Sequence, residues 1–317
     1  MKILVISTDN KLEVTAPLWA HAKSFFEFDH QCVVREEGLF DFIAKANFSG
    51  YNRILVDGNL RRMGRRSTQL KTIPNLIVFD HDVCQNNVPS SSWYHRYPSI
   101  LRAIGKVRII VSGVALSKQL KAEGIDAAFL PKAYDHSVIT DLGLERQIDV
   151  AFVGRTKHKA YRERKNFLKQ AQKKMAVPVM RAESGQPYNA LLNNIKIFVS
   201  VDIGYNEYMI KNYEAMAAGC AVLAWKQPPN ENDALGFRDM ENIVFYQSFE
   251  EFESRLSYLR ENPDIVRRIA QAGRELVEAR HTWRNRAEEM LALIRPEISQ
   301  SPPMRLLDHW HVLWARR

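Results

Sequence analysis

The sequence predicts an α/β protein built from two doubly wound parallel-sheet units, on three observations. Short apolar runs alternate with helical patterns along nearly the whole chain. The alternation lapses into a polar, aperiodic stretch at 135–147. It then restarts at Ile148. Buried parallel strands read as continuous apolar runs, and regular alternation with crossover helices marks a parallel sheet.

In the first half the predicted strands are 2–7, 31–35, 53–56, 76–79, 108–111 and 127–130. Predicted helices between them cover 17–28, 40–46, 98–104 and 115–123. Residues 135–147 read as a linker. The second half gives predicted strands at 148–153, 177–180, 197–201, 221–225 and 243–245. Its predicted helices cover 159–174, 188–194, 209–218, 249–261 and 264–279. In open α/β sheets ligands bind beyond the carboxyl ends of the strands. Two such units are expected to face each other across a cleft, so the residues after each strand are the places to look for chemistry.

Composition bounds the reading. A chain of 317 residues with 46% hydrophobic and 26% charged residues has an ordinary globular make-up. No apolar run approaches the ~20 residues of a membrane span. The apolar run in Met1–Ser7 is about five residues, against ~7–15 for a signal-peptide core, which predicts a first buried strand and a cytoplasmic protein. Cys32, Cys84 and Cys220 are odd in number and widely spaced, against a disulfide framework or a zinc site. Residues 146–182 hold eleven Lys/Arg and two acids, a balance equal to the whole +9 of the chain. Such a cluster suits phosphates, nucleic acid or an anionic membrane surface, or is a solvated helix face. The solvated face is preferred for Lys169, Lys173 and Lys174.

The most informative segment runs from Ile197 to Leu223: strand, loop, short helix, glycine stop, strand. Gly219 suits a left-handed residue closing the helix. Lys211 falls in the first turn, where a cation opposes the helix dipole, and a phosphate at the helix start would reverse that penalty. Glu214 interrupts a small, apolar face and is expected to be partly buried. A buried carboxylate needs donors, which the two hydroxyls of a ribose would supply. A second constellation is Gly154-Arg155, at the end of a strand, followed by a basic loop with Lys159 and Arg164. Gly154 permits close approach by a ligand or a backbone.

Tyr213-Glu214-Ala215-Met216-Ala217-Ala218-Gly219-Cys220-Ala221-Val222 resembles the donor-site signature of group 1 glycosyltransferases of the GT-B fold, two Rossmann-like domains facing a cleft. The Lys211-x-x-Glu214 form, and His281-Thr282-Trp283 with Arg286-Ala287, look most like the spore-maturation-protein-like branch. The resemblance is good over about 146–290 and architectural elsewhere. It implies a 1–140 acceptor-side domain, a 146–292 domain binding the nucleotide-sugar donor, and a 293–317 segment packing back on the first. It implies that Glu214 binds the donor ribose, that Lys211 and the helix start lie near the diphosphate, and that Gly154, Arg155, Lys159 and Arg164 serve the leaving diphosphate. The chain departs from the family at Asn206, where many members carry a first Glu, and Glu207 is one residue out of register. Either the loop shifts, or Asn206 contacts the sugar, or the first carboxylate is dispensable.

On the acceptor side Asp80, His81 and Asp82 follow a strand. They are candidates for steering a hydroxyl or stabilising charge, with capping by Asp80 and Asp82 as the alternative. Ser7, Thr8 and Asn10 follow the first strand and are placed on the same side, whereas Asp57-Gly58-Asn59 reads as a turn. His281-Thr282-Trp283 resembles a packing motif. The end of the chain has apolar residues at helical spacing. It reads as a helix packing on the body, or as an interfacial helix carrying Trp310, Trp314, Arg316 and Arg317 to a membrane.

The expected function is transfer of a sugar, with a UDP-sugar first in line, to an acceptor hydroxyl, with retention and without metal or cofactor. The acceptor is a glycan, a lipid-linked glycan or a modified nucleic acid, and the protein is placed in the cytoplasm, with peripheral contact to the inner membrane face as an option. The alternatives are a non-catalytic nucleotide-sugar-binding module, a nucleotide-sugar epimerase of the same fold and a nucleic-acid-binding protein.

Overall fold

The computed structural model describes residues 1–157 and 161–315. Lys159, Arg316 and Arg317 therefore lie outside the described residues. The chain divides into two compact units, Met1–Pro131 with Trp283–Arg317, and Lys132–Thr282. The sequence boundaries at 140 and 146, with a return at 293, are thus moved.

The first unit contains β1 (Ile3–Thr8), α1 (Asp9–Ala22), β2 (Asp29–Val33), α2 (Arg35–Lys45), β3 (Arg53–Asp57), and the short α3 (Leu60–Met63) and α4 (Ser67–Leu70). These are followed by β4 (Leu76–Phe79), α5 (Tyr97–Ile104), β5 (Val107–Val111), α6 (Val114–Ala122) and β6 (Asp126–Phe129). The sheet order is β2-β1-β3-β4-β5-β6, and all neighbours are parallel. The central strands are buried along their whole length, β4 wholly apolar and β1 and β5 apolar but for Ser7, Thr8 and Arg108, as continuous runs require.

The helix expected at 17–28 instead begins at Asp9, directly after β1, and ends at Ala22 with Pro17 inside it. Thr15, Leu18, Trp19 and Ala22 are its buried residues, an i, i+3, i+4, i+7 stripe that outweighs the proline.

The second unit contains β7 (Ile148–Val153), α7 (Arg162–Met175), β8 (Val179–Met180), α8 (Gln186–Asn193), β9 (Ile195–Ser200), α9 (Ile210–Ala217) and β10 (Ala221–Trp225). It is completed by α10 (Pro229–Leu235), β11 (Val244–Tyr246), α11 (Phe249–Glu261) and α12 (Pro263–Arg280). Its sheet order is β11-β10-β9-β7-β8, again parallel. The order reverses between β7 and β9, the switch point where such sheets bind ligands. Its core packs Phe167, Tyr246 and Phe252 against Val199, Leu223 and Ile269.

The stretch read as a linker is fastened to this second unit. The Thr140 and Leu142 amides donate to Asn189 and Asn193, and Arg146 donates to the carbonyls of Leu192, Ile195 and Ala218. Polarity here reflects hydrogen bonding to a surface rather than free chain.

The chain rejoins the first unit at α13 (Trp283–Ile294), which packs on α1. Arg53 donates to the Ile294 carbonyl at 3.0 Å. Arg108, paired with Asp126, donates to those of Leu293, Pro296 and Glu297. These cations satisfy carbonyls at a helix C-terminus, which would otherwise lack partners. The final helix, α14 (Leu306–Ala315), buries Val312 and Ala315 in the first core. Cys32, Cys84 and Cys220 are free thiols. Among the described residues no helix is long and apolar enough to cross a membrane.

Candidate functional site

The second unit gathers most of the nominated residues at its switch point. After β9 the chain makes a loop through Gly204 and Asn206, both left-handed, and enters α9 at Ile210. Asp202 organises this loop. Its carboxylate accepts from Arg164 Nη2 at 2.8 Å, Ser200 Oγ at 3.1 Å, the Met209 amide at 3.1 Å and Asn212 Nδ2 at 2.9 Å. Nothing in the local sequence pattern singled out Asp202 beyond its place after a strand.

Arg164 is correspondingly turned inward. Besides its pair with Asp202, its Nε donates to the Val201 carbonyl at 3.0 Å, and the side chain is buried. It therefore braces the β9–α9 loop rather than presenting its guanidinium to a diphosphate, a correction to the sequence expectation. Glu207 is likewise engaged, in a buried ion pair with Lys132. The carboxylate one residue out of register is locked there, and the loop presents the half-buried amide Asn206 instead. Asn tolerates a φ of 57° better than most residues.

Lys211 sits in the first turn of α9, and its Nζ donates to the Val153 carbonyl at 2.8 Å. A Cβ on Gly154 would come within 2.8 Å of that ammonium, so the glycine makes the approach possible. Burial lowers the Lys211 pKa. The Glu214 carboxylate opposes the fall, while the charges of Arg164 and Arg155 add to it. A cation held against other cations at a helix start is a place where an anion is stabilising. Arg155 is exposed just beyond β7.

Glu214, one turn on, is half-buried among Tyr213, Ala215 and Ala217. Burial raises its pKa, and Lys211 offsets part of the rise. The buried Tyr188 of α8 stands beside it, and burial followed by the Glu214 charge pushes the Tyr188 hydroxyl well up. That hydroxyl closes no hydrogen bond of ordinary geometry. Tyr188 was not nominated, since nothing near it in sequence points to Glu214. The helix ends as expected at Gly219, with φ +81°. The Cys220 amide reaches the Ala215 carbonyl and the Gly219 amide that of Met216, a Schellman closure. Burial pushes the Cys220 thiol up to about 12.

In the first unit, Asp80 lies wholly inside. Its carboxylate accepts from Lys11 Nζ at 2.8 Å, the Leu60 amide at 2.8 Å and the Asp82 amide at 3.0 Å. Burial opposes the charge of Lys11, but Asp80 and Asp82 outweigh it and hold its pKa above the ordinary value. Asp80 thus starts α3 and anchors Lys11, which leaves it no face toward a substrate, a correction to its nomination as catalytic. Asp82 is half exposed and accepts from Lys11 and Asn59. The His81 ring lies between Phe79, at 4.4 Å, and Trp283, stacked at 5.7 Å. Ser7 and Thr8 are buried and bonded to His30 and to the Asp57 carbonyl, so neither lines an open surface. Asp57 is no surface turn either, since it accepts from Thr15 and Trp19 inside the core. His281 is buried against Tyr213 and Phe237, in keeping with packing. Lys165, Lys169 and Lys173 form an exposed face of α7. Among the described residues no three His, Cys, Asp or Glu side chains gather as a metal-binding group.

The sequence model of the glycosyl transferase-like family matches residues 124–292. No curated protein matches the chain in sequence. Among solved structures, the fold is similar to that of sucrose-phosphate synthase from Thermosynechococcus elongatus, at TM-score 0.68 and 14% identity over 93% of this chain and 98% of that one. HepE from Anabaena, in complex with UDP-glucose, matches at TM-score 0.61 and 14% identity over 92% and 99%. A DNA-modifying β-glucosyltransferase matches at 0.61 and 12% over 93% and 100%. With two parallel-sheet α/β units of six and five strands, the chain has the GT-B fold.

Proposed function

The chain belongs to the glycosyl transferase-like family, and from that premise we propose that it moves a hexose from a nucleotide-sugar donor, a UDP-sugar first, to an acceptor hydroxyl. The observation that carries the reading is the placement, on one helix at the switch point, of Lys211, whose ammonium reaches the Val153 carbonyl beside Gly154 at 2.8 Å, and of the half-buried Glu214 one turn on. The α9 amides and Lys211 take the diphosphate, Arg155 reaches it from the β7 end, and Glu214 accepts from the ribose hydroxyls. In the reaction the acceptor oxygen bonds to the anomeric carbon as the bond between that carbon and the phosphate oxygen breaks; the electron pair leaves with the diphosphate, which takes up the hydroxyl proton. Fixed donors aimed at that developing charge lower the barrier without reorganising. We assign retention, and stabilisation by protein cations in place of a metal. The Lys211-x-x-Glu214 form supports the spore-maturation-protein-like branch.

The UDP choice is supported by HepE, solved with UDP-glucose, and by the DNA-modifying β-glucosyltransferase, solved with uridine diphosphoglucose. The acceptor is a hydroxyl of a glycan, a lipid-linked glycan or a modified nucleic acid, met in the cytoplasm. A thermal-shift screen of UDP, GDP, ADP, CMP and dTDP sugars tests the reading. A ligand at ~100-fold above Kd adds about 2.7 kcal/mol. A UDP-sugar should raise the melting temperature most, and sugar release should follow when an acceptor is added. No shift with any of the five classes would remove the proposal.

A further inference from the structure

The final helix is apolar on both faces. Its inner face is fastened to the first unit: Val312 and Ala315 enter the core, while Asp308 pairs with Arg102 and accepts from Ser99 Oγ at 2.6 Å. Its outer face carries Leu306 (88% exposed), Leu307 (70%), Trp310 (73%), Leu313 (54%) and Trp314 (39%). At about 100° per residue these five side chains fall within an arc of ~120°. Single exposed apolar residues are ordinary, but a contiguous stripe of five on one helix marks a docking surface.

The surroundings of the stripe are cationic. The Arg96 guanidinium lies 3.6 Å over the Trp314 ring. Arg61, Arg62 and Arg65 line a hollow of about 430 Å³ together with Trp93 and Trp314. Arg62 is paired with Glu36 at 3.4 Å, whereas Arg61, Arg65 and Arg96 form no ion pair with an acid among the described residues.

We propose that the outer face of α14, with Arg61, Arg65 and Arg96 beside it, docks the protein on an anionic lipid bilayer surface. The helix has 10 residues, about 15 Å, and so lies in the interface rather than spanning it. Trp and Leu enter the headgroup–acyl boundary while the arginines meet lipid phosphates. Because the inner face is locked by the Asp308–Arg102 pair, the stripe is presented ready-made, with no ordering of the helix on binding. Charge disfavours a second copy of the chain as the occupant. A two-fold contact through this stripe sets each copy's arginines close to the other's.

The test uses the full chain and co-sedimentation with vesicles of phosphatidylcholine containing phosphatidylglycerol, with pure phosphatidylcholine as comparison. Binding to the anionic vesicles is expected, weakened by salt and accompanied by a blue shift of tryptophan emission. Trp310→Ser with Leu313→Ser should reduce partitioning about tenfold or more, since two large apolar groups no longer insert. Arg61→Ser with Arg65→Ser should reduce it about fivefold per arginine. Both pairs should melt as the wild type does. Equal partitioning onto neutral and anionic vesicles would overturn the proposal. So would anionic binding that the Trp310/Leu313 pair leaves intact. A salt-stable dimer that this pair dissociates, in a chain that ignores vesicles, would overturn it in favour of self-association.

Discussion

Replacing Glu214 separates a ligand-binding carboxylate from a structural one. The side chain is half-buried, and burial raises its pKa, so the ionised form is disfavoured in the free protein. Lys211, one turn earlier, directs its ammonium to the Val153 carbonyl rather than closing an ion pair with it. Loss of the charge removes only the partial support of Lys211 and Tyr188 against burial, so stability should change by no more than about 1 kcal/mol. Binding should respond quite differently. A charge-assisted hydrogen bond contributes ~1.5–3 kcal/mol before desolvation is subtracted. Loss of one ribose contact should therefore weaken UDP about tenfold or more, about 1.4 kcal/mol at least. Calorimetric titration with UDP and 2′-deoxy-UDP reads this directly. The wild type should prefer UDP, Glu214→Ala should bind both alike and weakly, and Glu214→Gln should fall between. If the wild type binds both nucleotides equally and Glu214→Ala changes neither, the ribose role is refuted. Retained affinity with a lowered melting temperature would instead make Glu214 a structural residue.

Arg155→Ala should weaken UDP more than uridine, because the lost contact is to phosphate; equal losses in titration would refute its placement. Asp202→Ala strips the buried Arg164 of its partner and should cost about 3–5 kcal/mol in urea unfolding, with a loss under about 1 kcal/mol showing that the pair is not structural. Donor affinity should also fall in acid. The raised Glu214 carboxyl takes up a proton at a higher pH than an ordinary carboxylate, so affinity is full above that value and declines as pH drops through it. A UDP-sugar titrated across pH should show the decline in the wild type, and a Glu214→Gln profile equally steep would count against this cause.

What was legible in the sequence was set by periodicity. The strand at 221–225 and the helix at 249–261 lie where their patterns place them, because each is a clean apolar run or stripe between glycine or serine punctuation. β2 begins two residues before the predicted 31, since its residues are mostly exposed or half-buried and carry no apolar run. α1 begins at Asp9, eight residues before the predicted 17, because the buried stripe through Thr15, Leu18, Trp19 and Ala22 runs across Pro17. In the site, the close approach at Gly154 and the helix stop at Gly219 were readable from residue type. The Arg164–Asp202 pair was not, since it joins positions 38 residues apart through the β7–β9 reversal. The inward turn of Asp80 depends equally on Lys11, 69 residues away.

These long-range pairs sharpen the reading of which charges await a ligand. In the second unit Arg164, Arg146 and Asp202 are held by named internal partners, and Glu207 is held by Lys132. Burying charges is tolerable when they are paired and hydrogen-bonded in this way. Lys211 and Glu214 depart from that pattern: both are disfavoured in their charged forms by burial, and neither closes the pair that would relieve the other. In the proposed reaction a diphosphate at the α9 N-terminus would supply an anion to Lys211, and ribose hydroxyls would add donors to Glu214 beyond the neighbouring Tyr188. The same logic gives Asn206 its part in the proposed reaction. With Glu207 held by Lys132, the loop offers the sugar an uncharged amide, so stabilisation of the departing group falls to the cations at the diphosphate end rather than to a carboxylate beside the sugar.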